Sequence, residues 1–131
     1  MKTYQPTASE LASLSMLMIQ RYEAERGKEV SRLRISRSTL KRLAIRDRLR
    51  DSIIEEWIDI MSLEHNWVTF IHDEEFLLIK SEATQSWTKI ASKRCDDIIK
   101  RLRKGDSSAI SDVENEIVFG SEPDDDWEVE S

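Results

Sequence analysis

Only three glycines and two prolines punctuate these 131 residues, and that scarcity limits the fold more than any other feature. Gly and Pro are the residues that let a chain turn sharply, so a chain with so few should run in long segments joined by few tight turns. Rossmann, P-loop and sandwich folds, which need glycines at specified turns, are argued against. Charged residues make up 35% of the chain, which favours exposed helices over a sheet-rich body. The length suits one domain, or one domain and a tail.

Pro6-Thr7-Ala8-Ser9-Glu10 reads as a helix start, because Thr7 and Glu10 have the spacing of a capping box. Leu11, Leu14, Met18 and Tyr22 follow a helical stripe widened by Leu17, and Gly27 is a natural stop, so a first helix is expected over about 8–26. Val30, Leu33 and Ile35 suit a short extended piece. Ser36 offers a cap for a short second helix containing Leu40, Leu43 and Ala44, and the pattern breaks at Ile45-Arg46. Asp47 is the expected start of a third helix with Leu49, Ile53, Trp57, Ile60, Met61 and Leu63 on its apolar face.

The period then changes. Trp67 to Ile71 and Phe76 to Ile79 are β-branched, aromatic or aliphatic runs, separated by the polar turn His72-Asp73-Glu74-Glu75, which is hairpin spacing. A fourth helix is expected over about 83–104, with Trp87, Ile90, Ala91, Cys95, Ile98 and Leu102 on one stripe and Gly105 ending it. Trp57, Trp67 and Trp87 all fall on expected core faces. Beyond Gly105 the chain is acidic, with one or two amphipathic turns around Ile110, Val113 and Ile117 and a disordered end from Ser121 to Ser131. The expected domains are 1–105 and an acidic tail, 106–131.

Charge is divided along the chain. Residues 1–104 hold all 20 Lys and Arg against 16 acids, whereas 105–131 hold 10 acids and no base. Arg21 to Arg50 carries 11 basic residues and 4 acids, while residues 51–82 carry nine acids and one Lys. A cationic stretch of this kind suggests a polyanion partner, whose place the acidic tail could also occupy.

The element order helix, short extended piece, helix, turn, helix, β-hairpin, helix resembles a winged helix-turn-helix domain over about residues 8–104. The two helices of that motif would be Ile35 to Ala44 and Arg46 to Asn66, and Trp67 to Ile79 would be the wing. The resemblance implies a mainly α fold with a β-hairpin, and double-stranded DNA as partner, as for a small bacterial, phage or plasmid regulator, with a dimer expected. The residues placed to serve it are Arg34, Arg37, Ser38, Lys41 and Arg42, with Arg46, Arg48 and Arg50 at the start of the third helix, where free N–H groups and a partial positive charge attract phosphate. A second reading is an interaction protein. Its acidic hairpin, Asp73, Glu74 and Glu75, and its tail, anchored by Trp127, would occupy a basic surface on a nucleic-acid-processing partner.

No enzymatic chemistry is expected. Two histidines and three glycines assemble neither a Ser-His-Asp arrangement nor a phosphate loop. His65, His72 and Cys95 lack zinc spacing, and Glu55, Glu56 and Asp59 read as a solvated helix face rather than a metal site. No cofactor is expected. The lone cysteine, Cys95, is read as packed, and with no disulfide possible within the chain the cytosol is the expected compartment. The first ten residues lack signal-peptide character, and no stretch is apolar enough to span a bilayer.

Overall fold

The first helix, α1 (Ala8–Arg26), starts and ends where the sequence places it. Thr7 Oγ1 accepts the Glu10 N–H at 3.2 Å and the Glu10 carboxylate accepts the Thr7 N–H at 2.9 Å, closing the capping box. The Tyr4 hydroxyl adds a second donor to the same carboxylate at 2.8 Å. Together these hold the Glu10 carboxyl below its ordinary range, chiefly through the Thr7 backbone N–H, and raise the Tyr4 phenol. Gly27 closes the helix in the left-handed conformation at φ 69°. The buried face differs from the expected stripe, since it is made by Ala8, Leu11, Ala12, Ser15 and Ile19, while Leu17 and Tyr22 are exposed. The cause is Ser15, which a stripe of apolar letters misses. Its hydroxyl donates to Leu11 O at 2.8 Å and accepts from Trp57 Nε1 at 3.1 Å, so a polar side chain sits fully buried with its hydrogen bonds made.

The structure, a computed structural model, describes residues 2–118. The chain falls into two units, one running to Trp87 and the other starting at Thr88. The first unit is mainly helical around a small antiparallel sheet. After α1 come β1 (Arg32–Ser36), α2 (Arg37–Ala44), α3 (Asp51–Glu64), β2 (Trp67–His72) and β3 (Glu75–Lys80). The strand order is β1-β3-β2, so the extended piece joins the hairpin across the outside of β3. One sheet face carries Ile35, Trp67, Phe76 and Leu78 into a core shared with Leu11, Leu40, Trp57 and Met61.

Local chemistry explains the joints. Ser36 Oγ accepts the Thr39 N–H at 3.1 Å and starts α2. Ile45 ends it at φ 53°, ψ 49°, a left-handed conformation for a β-branched residue whose side chain is largely exposed. That conformation costs about 1–2 kcal/mol for a residue with a Cβ. Ile45→Gly is therefore expected to raise stability by about 1 kcal/mol and Tm by roughly 5 °C in a thermal melt. A fall in Tm would show that the Ile45 methyl groups stabilise more than the strain costs. The hairpin turn is tighter than the four residues expected. Only Asp73 and Glu74 form it, both at positive φ (55° and 64°), as a two-residue turn between matched strands requires. His72 and Glu75 pair with each other as strand residues.

Three expectations are corrected. Asp47 does not start α3. Leu49 is part of the buried core but in non-helical backbone, and the helix begins at Asp51 with Arg50 as its N-cap residue, which makes no side-chain cap bond. Leu63 lies outside the apolar face at 81% exposure. The long helix expected over 83–104 is broken into a 3₁₀ turn (Ser81–Ser86), irregular chain, a second 3₁₀ turn (Ser92–Cys95) and α4 (Asp96–Arg103). Hydroxyl side chains compete for the backbone at its start, where Thr84 Oγ1 donates to Ser81 O at 2.7 Å and Ser86 Oγ to Ala83 O. As a result Trp87 (56%), Ile90 (82%) and Cys95 are exposed, not packed in a core.

In the second unit α4 is followed by α5 (Ser108–Glu116), which realises the helical turns expected around Ile110 and Val113. Arg101 joins the two helices, with Nε 2.9 Å from Asp106 and Nη1 2.8 Å from Asp112. The Ser108 hydroxyl and then Arg101 hold the Asp106 carboxyl below its ordinary range. The expected disordered end from Ser121, with Trp127, lies outside the described residues.

Candidate interaction surfaces

The cations expected to meet DNA lie on β1, on α2 and on the link that follows α2. Arg37 and Lys41 are half-buried on α2, and Ser38 and Arg42 are exposed on it. Lys41 and Arg42 sit in the last turn, where the helix carries partial negative charge and cations are favoured regardless of any ligand. Arg48 and Arg50 are exposed in the link between α2 and α3. Arg34 lies instead on β1, paired with Glu75 across the sheet at 3.4 Å.

Arg46 has a different role. Its Nη2 donates to Pro6 O at 3.0 Å and its Nη1 reaches Gln5 Oε1 at 3.4 Å, while Gln5 Nε2 donates to Ile45 O at 3.3 Å. These bonds strap the segment before α1 to the end of α2, and Arg46 Nε is buried without a hydrogen-bond partner. A side chain so held supports the link and is not free to reach a phosphate. Since α3 starts at Asp51, neither Arg46 nor Arg48 belongs to its first turn. The charged residue that does is Asp51 itself.

The solvent side of α3 is anionic. Ser52, Glu55, Glu56, Asp59 and Leu63 recur at helical spacing and are exposed, with Asp51 and Glu64 at the ends. No basic residue occurs between Asp51 and Glu64. The opposite side, Ile54, Trp57 and Met61, is buried, so packing fixes which residues face outward. Asp73 and Glu74 project from the hairpin turn, both exposed. Glu75 is half-buried and lies 3.4 Å from Arg34, so Asp73 and Glu74 are the hairpin acids without an ion pair among the described residues. Among the described residues, Glu55, Glu56, Asp59, Asp73 and Glu74 make no ion pair within 4 Å.

Strand register places the hairpin turn beside the start of α2, because Ser36 pairs with Glu75 and Glu75 with His72. The two-residue turn Asp73-Glu74 therefore follows the last paired row of the sheet, and α2 starts from the same row at Ser36. Among the described residues no three His, Cys, Asp or Glu side chains converge as a metal site would require, and no helix is long and apolar enough to cross a membrane.

Two features went unnoticed in the sequence. One is the outward face of the sheet, where Val68 and Phe70 are exposed on β2 and Arg32 and Arg34 are exposed on β1, two strands away. Strand alternation was the available signal, but it does not tell which face meets the helices. The other is the strap through Arg46. Comparison of the chain with family models, curated proteins and solved structures returned no match.

Proposed function

We propose that the unit ending at Trp87 is a winged-helix-type module that docks a cationic partner protein through the exposed side of α3 and the hairpin turn. The winged-helix reading draws support from the order helix, strand, helix, helix, strand, strand, together with the β1-β3-β2 sheet. The observation that carries the docking reading is the row Glu55, Glu56 and Asp59, a helix face with carboxylates and no base. In a DNA-reading module of this kind the helix in this place enters the major groove. Carboxylates there would meet phosphate with like charge, which costs affinity and slows association. Fixed on a packed helix, the same groups complement a basic surface. No catalytic step and no cofactor belong to this reading.

Affinity capture on the immobilised full chain tests it. Wild-type protein should retain a basic protein at low salt. The variant carrying Glu55→Gln, Glu56→Gln, Asp59→Asn, Asp73→Asn and Glu74→Gln should lose at least about tenfold of that retention. Equal recovery by the two proteins would overturn the proposal.

One observation favours a second reading, contact with duplex DNA along α2 and the link. Among the described residues Arg37, Lys41, Arg42, Arg48 and Arg50 make no ion pair. Such contact would be to phosphates, with little sequence information. Anisotropy of random duplex across a salt series separates the readings, since five phosphate contacts give a log–log slope of roughly −4 to −5 and docking of a protein gives none.

A further inference from the structure

We propose that the outward face of the three-stranded sheet is a second docking site, which takes an extended acidic peptide segment bearing aromatic or branched side chains from a partner protein. Strand register sets this face in three rows. Arg32, Ile79 and Val68 form the first, Arg34, Leu77 and Phe70 the second, and Ser36, Glu75 and His72 the third. The opposite face is the one packed on the helices. An outward face of a small sheet is ordinarily polar, yet here the first two rows are apolar in the middle strand and in β2. Phe70 is 49% exposed, and Trp87, just past the sheet, contributes a second exposed aromatic ring. Phe70, Leu77, Ile79 and Trp87 line an open groove of about 520 Å³ together with Arg32 and Arg34.

The charge of this groove identifies its occupant. Among the described residues two guanidinium groups line it and no carboxylate does. Among the described residues Arg32 makes no ion pair, and Arg34 shares its charge only with Glu75, at 3.4 Å and with a side chain 72% exposed. Both cations lie on one strand, two residues apart, so they flank the apolar rows along one side. A partner carboxylate on each side of an apolar anchor would meet a guanidinium, which pairs with carboxylates in bidentate fashion. The extended form follows from the spacing of the two guanidinium groups, which stand on alternate residues of one strand and so match carboxylates on alternate residues of an extended segment.

A nucleic acid fits less well. Single strands need a succession of cations along the backbone as well as stacking rings, whereas here the third row brings Glu75 and the turn beyond it brings Asp73 and Glu74. The middle of the groove is aliphatic, which suits a Leu, Val or Phe side chain better than a base.

The test is anisotropy of a fluorescein-labelled peptide that alternates Phe and Leu with Glu and Asp, titrated with the full chain. Saturable binding is expected, about tenfold weaker with Arg32→Glu and about tenfold weaker with Phe70→Ser. The neutral peptide with Gln and Asn in place of the acids should lose a similar factor, and Glu55→Gln should change nothing, which separates this site from the α3 surface. Both substituted side chains are exposed, and circular dichroism confirms that each variant is folded. Should Phe70→Ser unfold, the Arg32→Glu result alone decides. Absence of binding, equal affinity for the neutral peptide, or preference for labelled oligothymidylate would overturn the proposal, the last by making the face a single-strand platform.

Discussion

Replacing Trp57 with alanine should remove most of the stability of the unit that ends at Trp87. The indole is fully buried, meets the Phe76 ring edge-on at 5.2 Å, and donates from Nε1 to Ser15 Oγ at 3.1 Å. It thus joins α3, β3 and α1 in one contact set. Truncating a buried Trp costs about 3–5 kcal/mol, against roughly 4–13 kcal/mol for a unit of this size. A thermal melt followed by circular dichroism should show Tm lowered by roughly 20 °C, or no cooperative transition at all. Trp57→Phe should be milder, because an aromatic ring still fills most of the site and Ser15 keeps its bond to Leu11 O, although the indole N–H and part of the buried ring volume are lost. A shift below roughly 5 °C for Trp57→Ala would mean that the core does not centre on this residue.

Reversing the charge on α3 should turn the protein into a salt-sensitive DNA binder. Glu55→Lys, Glu56→Lys and Asp59→Lys act on exposed positions of a helix whose other side is packed, so the fold should persist. If α3 has the placement of a groove-entering helix, three new cations could meet up to three phosphates. The log–log salt slope for random duplex would steepen by roughly 2 to 3, and affinity at low salt would rise by roughly a hundredfold or more. Fluorescence anisotropy over a salt series checks this. An unchanged slope would remove α3 from any nucleic-acid surface and would count against the winged-helix reading.

Local rules made much of this architecture legible. The Thr7–Glu10 box, the Gly27 stop, the Ser36 cap and the switch to strand period at Trp67 are short-range signals, and each gives its element. The acids of α3 and the hairpin were visible too, because composition alone carries them. What stayed hidden depends on contacts between distant residues. Arg46 reads as one more cation until Pro6, forty positions earlier, claims it. Ser15 gives no apolar signal in the helical stripe, and its burial rests on the Trp57 indole, forty-two positions later. The apolar stripe of 83–104 is a genuine helical period, yet its first half is irregular or 3₁₀, since periodicity reports where apolar groups recur and not whether Ser and Thr divert the backbone.

The strand order has a consequence in time. β2 and β3 are neighbours in sequence and can zip from their two-residue turn within microseconds. Among the described residues β1 has no strand partner other than β3, and α2 and α3 both lie between them in the chain. During synthesis the first strand must therefore wait, its pairing groups unmet, until the hairpin has left the ribosome. Closing that long loop is the entropically costly step, which makes β3 the template on which the sheet is completed and its late emergence the moment at which the unit commits to its fold.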